Sequence, residues 1–551
     1  MKRNIILSAI TGAALLLLTA SCSNDENNEQ KEPAQTVQFS FTNEDFGEDE
    51  TPSRATSAAE TKPQTIDLGD CEAEITVENE PAVKKTRGAQ TPATGHYTIR
   101  AYQGGTLKGE MSGTFSSGTF TLDGGSQNSF RLPHGTYDFI AFNDDVILSG
   151  NDLTVARDKA ETARMGASTV NITGSADVHV NFTMKHVGCR LRTQFVCKKD
   201  IPNNITATLE GAAANVIPIS VTYNPSTKAY TGTNGAMTPE SSNSPASTET
   251  KYNASRWGEN YTYTSTSTDY HYFLPTTEAS NLRLSFSAGT LFWKPLTATQ
   301  KLNIALSMLS NKSYLVKIKL KPQFTYLFTD GTTGYFKETT QGGGSKTPIA
   351  VVVDKDLQLA VALNNASNTE MHWGAIGGVV NVVNNSATFS TLAAALTDMD
   401  GYKWTWEPSG SADGVTVKAN DPQCFAFYSA GHYSPTLPTG VTLTNGMENK
   451  KWYLPAFGEW KYVYIGLGFS HFMPDFSPYS AKWYGNLADL AFTQVGGTSI
   501  QPPYYKFWTS TEDNEHSASL VEVYPAIMGV RLGHIWKNLN YKFWVRPFVK
   551  Y

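Results

Sequence analysis

Short runs in which apolar and polar residues alternate recur along the first 320 residues, and long helical periodicities are absent. His96-Tyr97-Thr98-Ile99-Arg100-Ala101-Tyr102 is one, Gly118-Thr119-Phe120-Thr121-Leu122 another, and Val178-His179-Val180-Asn181-Phe182-Thr183-Met184 a third. Between Phe130 and Phe142 two such runs flank Pro133-His134-Gly135, which predicts a hairpin or a corner between strands. A period of two places one face of each strand inward. The pattern resumes at Leu191 to Cys197, Tyr270 to Leu274, Asn281 to Phe286 and Tyr314 to Leu320. Pro275 follows an aromatic-Leu strand end as Pro133 does, so two related β-sandwiches in tandem are expected, over residues 36–184 and 185–321. Residues 234–256, rich in Ser, Asn, Thr and Pro, predict a long exposed loop.

Beyond residue 321 the pattern changes. Lys321 to Pro348 reads as a junction, and its Gly342-Gly343-Gly344-Ser345-Lys346-Thr347 as a flexible linker. A phosphate-binding loop is excluded there because no glycine directly precedes the lysine and no helical pattern follows. Nine of the eleven tryptophans then fall between Trp373 and Trp544. Phe389 to Leu396 and Trp483 to Phe492 are the fair helix candidates in this third region, residues 322–551.

The amino terminus has its own logic. Lys2 and Arg3 precede an apolar run from Ile5 to Leu18, too short to span a bilayer, which ends in Leu18-Thr19-Ala20-Ser21-Cys22. This resembles a lipobox: residues 1–21 are a signal peptide and Cys22 the acylated residue, each buried methylene contributing about 0.8 kcal/mol to anchoring. An ordinary signal peptide cut at Ala20 or Ser21 is the alternative. Residues 22–35, acidic and core-less, form a solvated tether that resembles the surface-export signal of Bacteroidetes lipoproteins.

Composition narrows the function. Aromatic residues make up 12% and charged residues 17%, a mix that favours β-sandwiches. The net charge of −6 and the lack of a basic stripe exclude nucleic acid as a partner. Cys71, Cys189, Cys197 and Cys424 lack CxxC spacing, so neither zinc nor another metal is expected, and isolated buried thiols are favoured over a Cys189–Cys197 bridge. No HExxH or GxSxG motif is present. No catalytic residue and no cofactor is assigned, and the chain is read as a non-enzyme.

Leu132-Pro133-His134-Gly135-Thr136-Tyr137 and Val180-Asn181-Phe182-Thr183-Met184-Lys185-His186, with Phe273-Leu274-Pro275 and Asn311 to Ile318 in the second sandwich, resemble the Bacteroidetes fimbrillin family over residues 36–320. The resemblance implies a pilus subunit delivered as a lipoprotein. It implies that an extracellular Arg-specific protease removes the first strand, and that a strand from the next subunit fills the groove. Ala73 to Val77 is the expected strand to be removed. Arg87 is the first candidate for the cut and Arg54 the second, the plain alternative being that both are ordinary loop residues.

In the third region Lys451 to Trp460, Lys506 to Glu512 and Tyr541 to Phe548 resemble C-type-lectin-like domains of Bacteroidetes surface proteins. The single Cys424 cannot form the disulfides of animal C-type lectins, and their Glu-Pro-Asn and Trp-Asn-Asp calcium ligands are absent. Trp452, Leu454, Trp508, Val545 and Phe548 are expected in the core, with Glu459, Glu512 and Arg546 in ion pairs or turn caps. His471, Phe472, Asp475, Tyr479, Tyr504 and Tyr505, on aromatic Pro-broken stretches, are the candidate ligand contacts. The carboxy-terminal Trp544 to Tyr551 reads as the last strand of this domain, so the chain is expected to accept a strand without donating one, which places it at a polymer tip.

The expected fold is therefore mainly β: two antiparallel sandwiches of transthyretin or Ig-like type, then an α+β C-type-lectin-like domain. The expected function is a tip adhesin that passes through the outer membrane as a lipoprotein precursor into an extracellular fimbrium, with other fimbrial subunits and an extracellular ligand such as a glycan as partners. A monomeric surface glycan-binding lipoprotein is the alternative, and a glycosidase ranks last.

Overall fold

The computed structural model describes residues 37–47, 63–69, 71–79, 91–124, 130, 132–173, 178–255, 258–292, 294–374, 389–467, 485–500, 505–524, 529–537 and 541–551. The fold is mainly β. The alternating runs form strands, and Val178–His186 shows why: Val178, Val180, Phe182, Met184 and His186 are buried while the residues between them are exposed or half-buried. Four strands open the described chain: β1 (Val37–Asn43), β2 (Gln64–Asp67), β3 (Cys71–Asn79) and β4 (Thr91–Pro92).

The first sandwich centres on an eight-stranded sheet containing β1 and β4. This sheet curls, so that Phe41 near one end meets Phe120 at the other, ring centroids 5.9 Å apart. Phe41, Tyr97, Phe115, Phe139 and Phe182 fill the curl. The outer face, through Tyr102, Ile140 and Phe142, packs on a four-stranded sheet that supplies Leu153, Val155, Val221 and Tyr223. At the predicted Pro-x-Gly corner the Tyr137 hydroxyl donates to the Pro133 carbonyl at 3.0 Å. The second sandwich packs a seven-stranded sheet on another of four strands, with Phe195, Leu209, Leu284, Val316 and Ile318 in its core.

The two sandwiches are not successive stretches of chain. β2 and β3 precede the cut expected at Arg87, yet they belong to the seven-stranded sheet of the second sandwich. Conversely, Ile217–Asn224 and Ala229–Gly235 join the four-stranded sheet that covers the first. Alternation specifies that a strand has an apolar face, not which sheet takes it.

Residues 234–256, predicted as an exposed loop, carry the strands Glu240–Asn243 and Thr248–Ser255. Their small hydroxyl side chains suit a sheet because they find local partners: Ser241 and Thr208 share a hydrogen bond of 2.7 Å, and buried Ser244 donates to the Pro202 carbonyl at 2.6 Å. The predicted linker is also structured. Thr325–Phe328 and Thr333–Tyr335 are strands of the third region's five-stranded sheet, and one apolar core runs from Ile318 through Phe324 and Tyr326 to Val351. The glycine run makes a tight turn: Gly343 has φ +92°, and a side chain at Gly342 would meet the Phe336 carbonyl at 1.9 Å.

The third region adds a three-stranded sheet and the helices α1 (Leu392–Ala395), α2 (Gly401–Trp406), α3 (Phe425–Gly431), α4 (Phe457–Gly466) and α5 (Gly485–Thr493). α1 falls within the predicted stretch Phe389 to Leu396, and α5 overlaps Trp483 to Phe492 and ends one residue beyond it; α2, α3 and α4 carry no such pattern. α4 in particular is rich in Phe, Trp, Tyr and Val, residues that favour strands. Its start is specified by Glu459, which accepts from the Ala456 N–H at 2.8 Å. Cys189 and Cys197 sit at opposite ends of one extended strand, where they cannot meet, and all four described cysteines are free. Among the described residues no helix is long and apolar enough to cross a membrane.

Candidate assembly site formed by the amino-terminal strands

β1 runs parallel to Val178–His186, in register from Val37 opposite Val178 to Asn43 opposite Met184. Its other edge meets β4 only at Thr42 and Asn43. The Ala93 N–H continues that contact by donating to the Phe41 carbonyl at 3.2 Å, and over Val37 to Ser40 no strand is paired to that edge among the described residues. Side chains therefore carry much of the hold. Phe41, 2% exposed, lies 4.8 Å from Tyr97, 4.8 Å from Phe115 and 5.2 Å from Phe182. Phe39 packs beside it, 6.0 Å from both Phe120 and Phe130. A fully buried phenylalanine contributes about 1.5–3 kcal/mol.

The chain beyond β1 is seated where the two sandwiches meet. The Glu44 N–H donates to the Met184 carbonyl at 3.0 Å and the Gly47 N–H to the Asn311 carbonyl at 2.9 Å. The Glu44 carboxylate accepts from the Asn311 amide at 2.7 Å and faces Lys185 at 3.3 Å. Between these points Phe46, 9% exposed, stacks on the His186 imidazole with centroids 3.7 Å apart and planes 12° from parallel. The Arg190 guanidinium lies 5.0 Å over the same ring, and Tyr272 borders it at 5.8 Å. Burial, reinforced by the charge of Arg164, pushes the His186 imidazole down to about 4, so the ring is neutral at pH 7. Arg164 donates to Nε2 at 2.8 Å, which puts the proton on Nδ1, 2.6 Å from the Glu161 carbonyl.

β3 is held more completely. It pairs antiparallel with Ser313–Pro322 along all nine residues, Cys71 opposite Pro322 and Asn79 opposite Tyr314, and with β2 on the other edge. Cys71, Ala73, Ile75 and Val77 are buried. On the outer face Glu74 forms ion pairs with Lys321 and, at 3.5 Å, Lys319.

Cys22, Arg54 and Arg87 lie outside the described residues. Chain order alone sets what each cut separates. A cut at Arg54 puts β1 and Phe46 on the amino-terminal piece; a cut at Arg87 adds β2 and β3 from the other sandwich. His471, Phe472, Asp475, Tyr479 and Tyr504 also lie outside the described residues, while Tyr505 opens the strand Tyr505–Asn514, opposite Val523.

The motif residues of the third region face inward. Trp452, Leu454, Trp508, Val545 and Phe548 are buried, as expected. Glu459 caps α4 and accepts from the Tyr453 hydroxyl at 2.8 Å; burial pushes its carboxyl up to about 8. Glu512 pairs with Lys537 at 2.5 Å inside the protein. Arg546 binds carbonyls, those of Leu363 and Thr498, each at 2.7 Å. Sequence reasoning passed over Trp536, 56% exposed and stacked on His516 at 6.3 Å. It also passed over Phe46, whose one signal was a lone aromatic between an acidic pair and a glycine. No group of three or more His, Cys, Asp or Glu residues is arranged to hold a metal ion among the described residues.

No protein-family model and no curated protein matches this chain. Among solved structures, a fimbrial protein from Bacteroides vulgatus is 14% identical, covering 40% of this chain and 88% of its own, with a TM-score of 0.25. A fimbrial assembly protein from Parabacteroides distasonis is 10% identical, covering 42% and 88%, with a TM-score of 0.24. A fimbrial protein from Bacteroides ovatus is 11% identical, covering 95% and 100%, with a TM-score of 0.20. Scores this low do not establish a shared overall fold.

Proposed function

We propose that this chain is a surface adhesin subunit, exported as a lipoprotein, that joins a fimbria by accepting an extended strand from a neighbouring subunit in place of β1. The observation that carries the reading is the seat of β1. It is a strand paired in full along one edge, plugged into the curl by Phe39 and Phe41, and followed in the chain by Arg54. Removal leaves Val178–His186 with an open edge and an aromatic-lined groove, which an extended segment of the same alternation can satisfy. Cleavage at Arg87 is the fuller version, since it also opens the edge of Ser313–Pro322 by releasing β3. The strand Phe548–Lys550 is paired with Leu359–Ala362 inside its own domain and is not itself free for donation.

The third region takes the adhesive role in this proposal. Trp536 on its three-stranded sheet offers an exposed indole for a sugar ring or a protein side chain, and the stretches around His471 and Tyr504 remain candidate contacts. Amino-terminal sequencing of surface material tests the whole reading. A start at Ala55 or Gly88 is the expected result. Surface material that begins throughout at an acylated Cys22 would sink it and favour the monomeric glycan-binding lipoprotein.

A further inference from the structure

We propose that the recess filled by Phe46, walled by His186, Arg190 and Tyr272, is a selectivity pocket for the incoming strand: it takes an aromatic side chain that the neighbouring subunit carries beyond its core-filling residues. This rests on the strand-acceptor reading above.

The present occupant leaves with β1, because Phe46 precedes both Arg54 and Arg87 in the chain. The walls stay. His186 ends the strand Val178–His186, Arg190 is the second residue of Cys189–Cys197, and Tyr272 lies in His271–Phe273. They are also braced by groups that stay, although Arg164 donates as well to the departing Glu44 carbonyl at 3.0 Å. Arg164 and the Glu161 carbonyl hold the imidazole from its two nitrogens. The Arg190 Nε donates to the Ser313 hydroxyl at 2.9 Å, and its guanidinium lies 3.9 Å from the Tyr270 ring. Processing thus vacates a preformed slot beside the groove, with the Met184 and Asn311 carbonyls left as backbone docking points on either side of it.

The groove and the slot differ in what they discriminate. The groove reads apolar alternation, a property shared by many strands. The slot presents a flat neutral imidazole stacked on the ring and a guanidinium 5.0 Å from the ring centroid, and both interactions need a π face. An aliphatic side chain of similar volume fills the space without either. The spacing is set by the present chain: five positions separate Phe41 in the curl from Phe46 in the slot.

The probe is a fluorescein-labelled peptide of residues 36–47, added to full-length chain that an Arg-specific protease has cut and that has been freed of its amino-terminal piece. The parent peptide and its Phe46→Trp variant are expected to bind alike, with Phe46→Leu weaker and Phe46→Ala weaker by about tenfold or more, a loss of about 1.4 kcal/mol. Arg190→Ala in the acceptor is expected to weaken the parent peptide several-fold and to leave the Phe46→Ala peptide unchanged. Equal binding of parent and Phe46→Ala peptides, with a Phe39→Ala/Phe41→Ala peptide losing affinity, overturns the pocket and leaves the acceptor groove standing. Failure of the parent peptide to bind overturns the strand-acceptor reading, and the pocket with it.

Discussion

Phe41→Ala is the sharpest test of how β1 is retained. Phe41 is 2% exposed and has Tyr97, Phe115 and Phe182 within 5.2 Å, rings of three different strands that cannot all close on the space it leaves. Truncation of such a phenylalanine costs about 3–5 kcal/mol. In the intact chain that loss is read as reduced stability of the first sandwich. After a cut at Arg54 it is read as faster escape of the β1 piece, by about two to four decades if the whole cost falls on dissociation. The assay cuts parent and variant with an Arg-specific protease, dilutes both, and follows the released piece by size exclusion with mass detection. Ser40→Ala is the control. Ser40 sits on the exposed face of β1, its hydroxyl 2.5 Å from Asn181, and its loss is expected to cost about 0.5 kcal/mol or less. Where the cut falls at Arg87 the piece keeps β3 as a second anchor, and Ile75→Ala must be added before release accelerates. Equal release rates for Phe41→Ala and Ser40→Ala after the Arg54 cut would refute the claim that burial of this ring, rather than the ladder, retains the strand.

Two predictions concern the interior of the third region. Burial raises the Glu459 carboxyl from about 4.5 to about 8 in the fold, so the folded state holds an extra proton between those values. Its contribution is complete below about 4.5 and is lost as pH rises towards 8, at no more than about 1.4 kcal/mol per pH unit. Urea midpoints at pH 5, 6.5 and 8 should therefore fall with pH in the parent and flatten in Glu459→Gln; parallel slopes would contradict this. Lys537→Met removes the ammonium beside buried Glu512 and should cost about 3–5 kcal/mol, while Lys537→Met/Glu512→Gln recovers much of that. A double variant no more stable than the single one would show that the buried charge is not the cause.

Much of this architecture was legible beforehand. Period-two alternation marked strands such as Val178–His186, and Trp452, Trp508 and Phe548 were recognisable as core from their apolar, motif-bound positions. The Pro133-x-Gly135 corner was legible because proline and glycine constrain the backbone locally. α4 was not, since its residues favour strands and only the Glu459 cap and the surrounding core make it a helix. Residues 234–256 misled for the opposite reason: Ser, Asn and Thr look solvated in one dimension, yet find hydrogen-bond partners across a sheet. The candidate ligand contacts His471, Phe472, Asp475, Tyr479 and Tyr504 lie outside the described residues.

By itself the sequence determined that β1 and β3 are extended and apolar on one face, because a side-chain period of two is a local property. It determined equally that Arg54 and Arg87 come after Phe46 in the chain. Only the tertiary structure decided that β1 joins the first sandwich while β3, further along the chain, joins the second. It alone brought Phe46 onto His186 and under Arg190. Those choices turn on which distant apolar faces and backbone edges are left to be covered, as when Ala73 pairs with Leu320, and that quantity exists only once the other strands are in place.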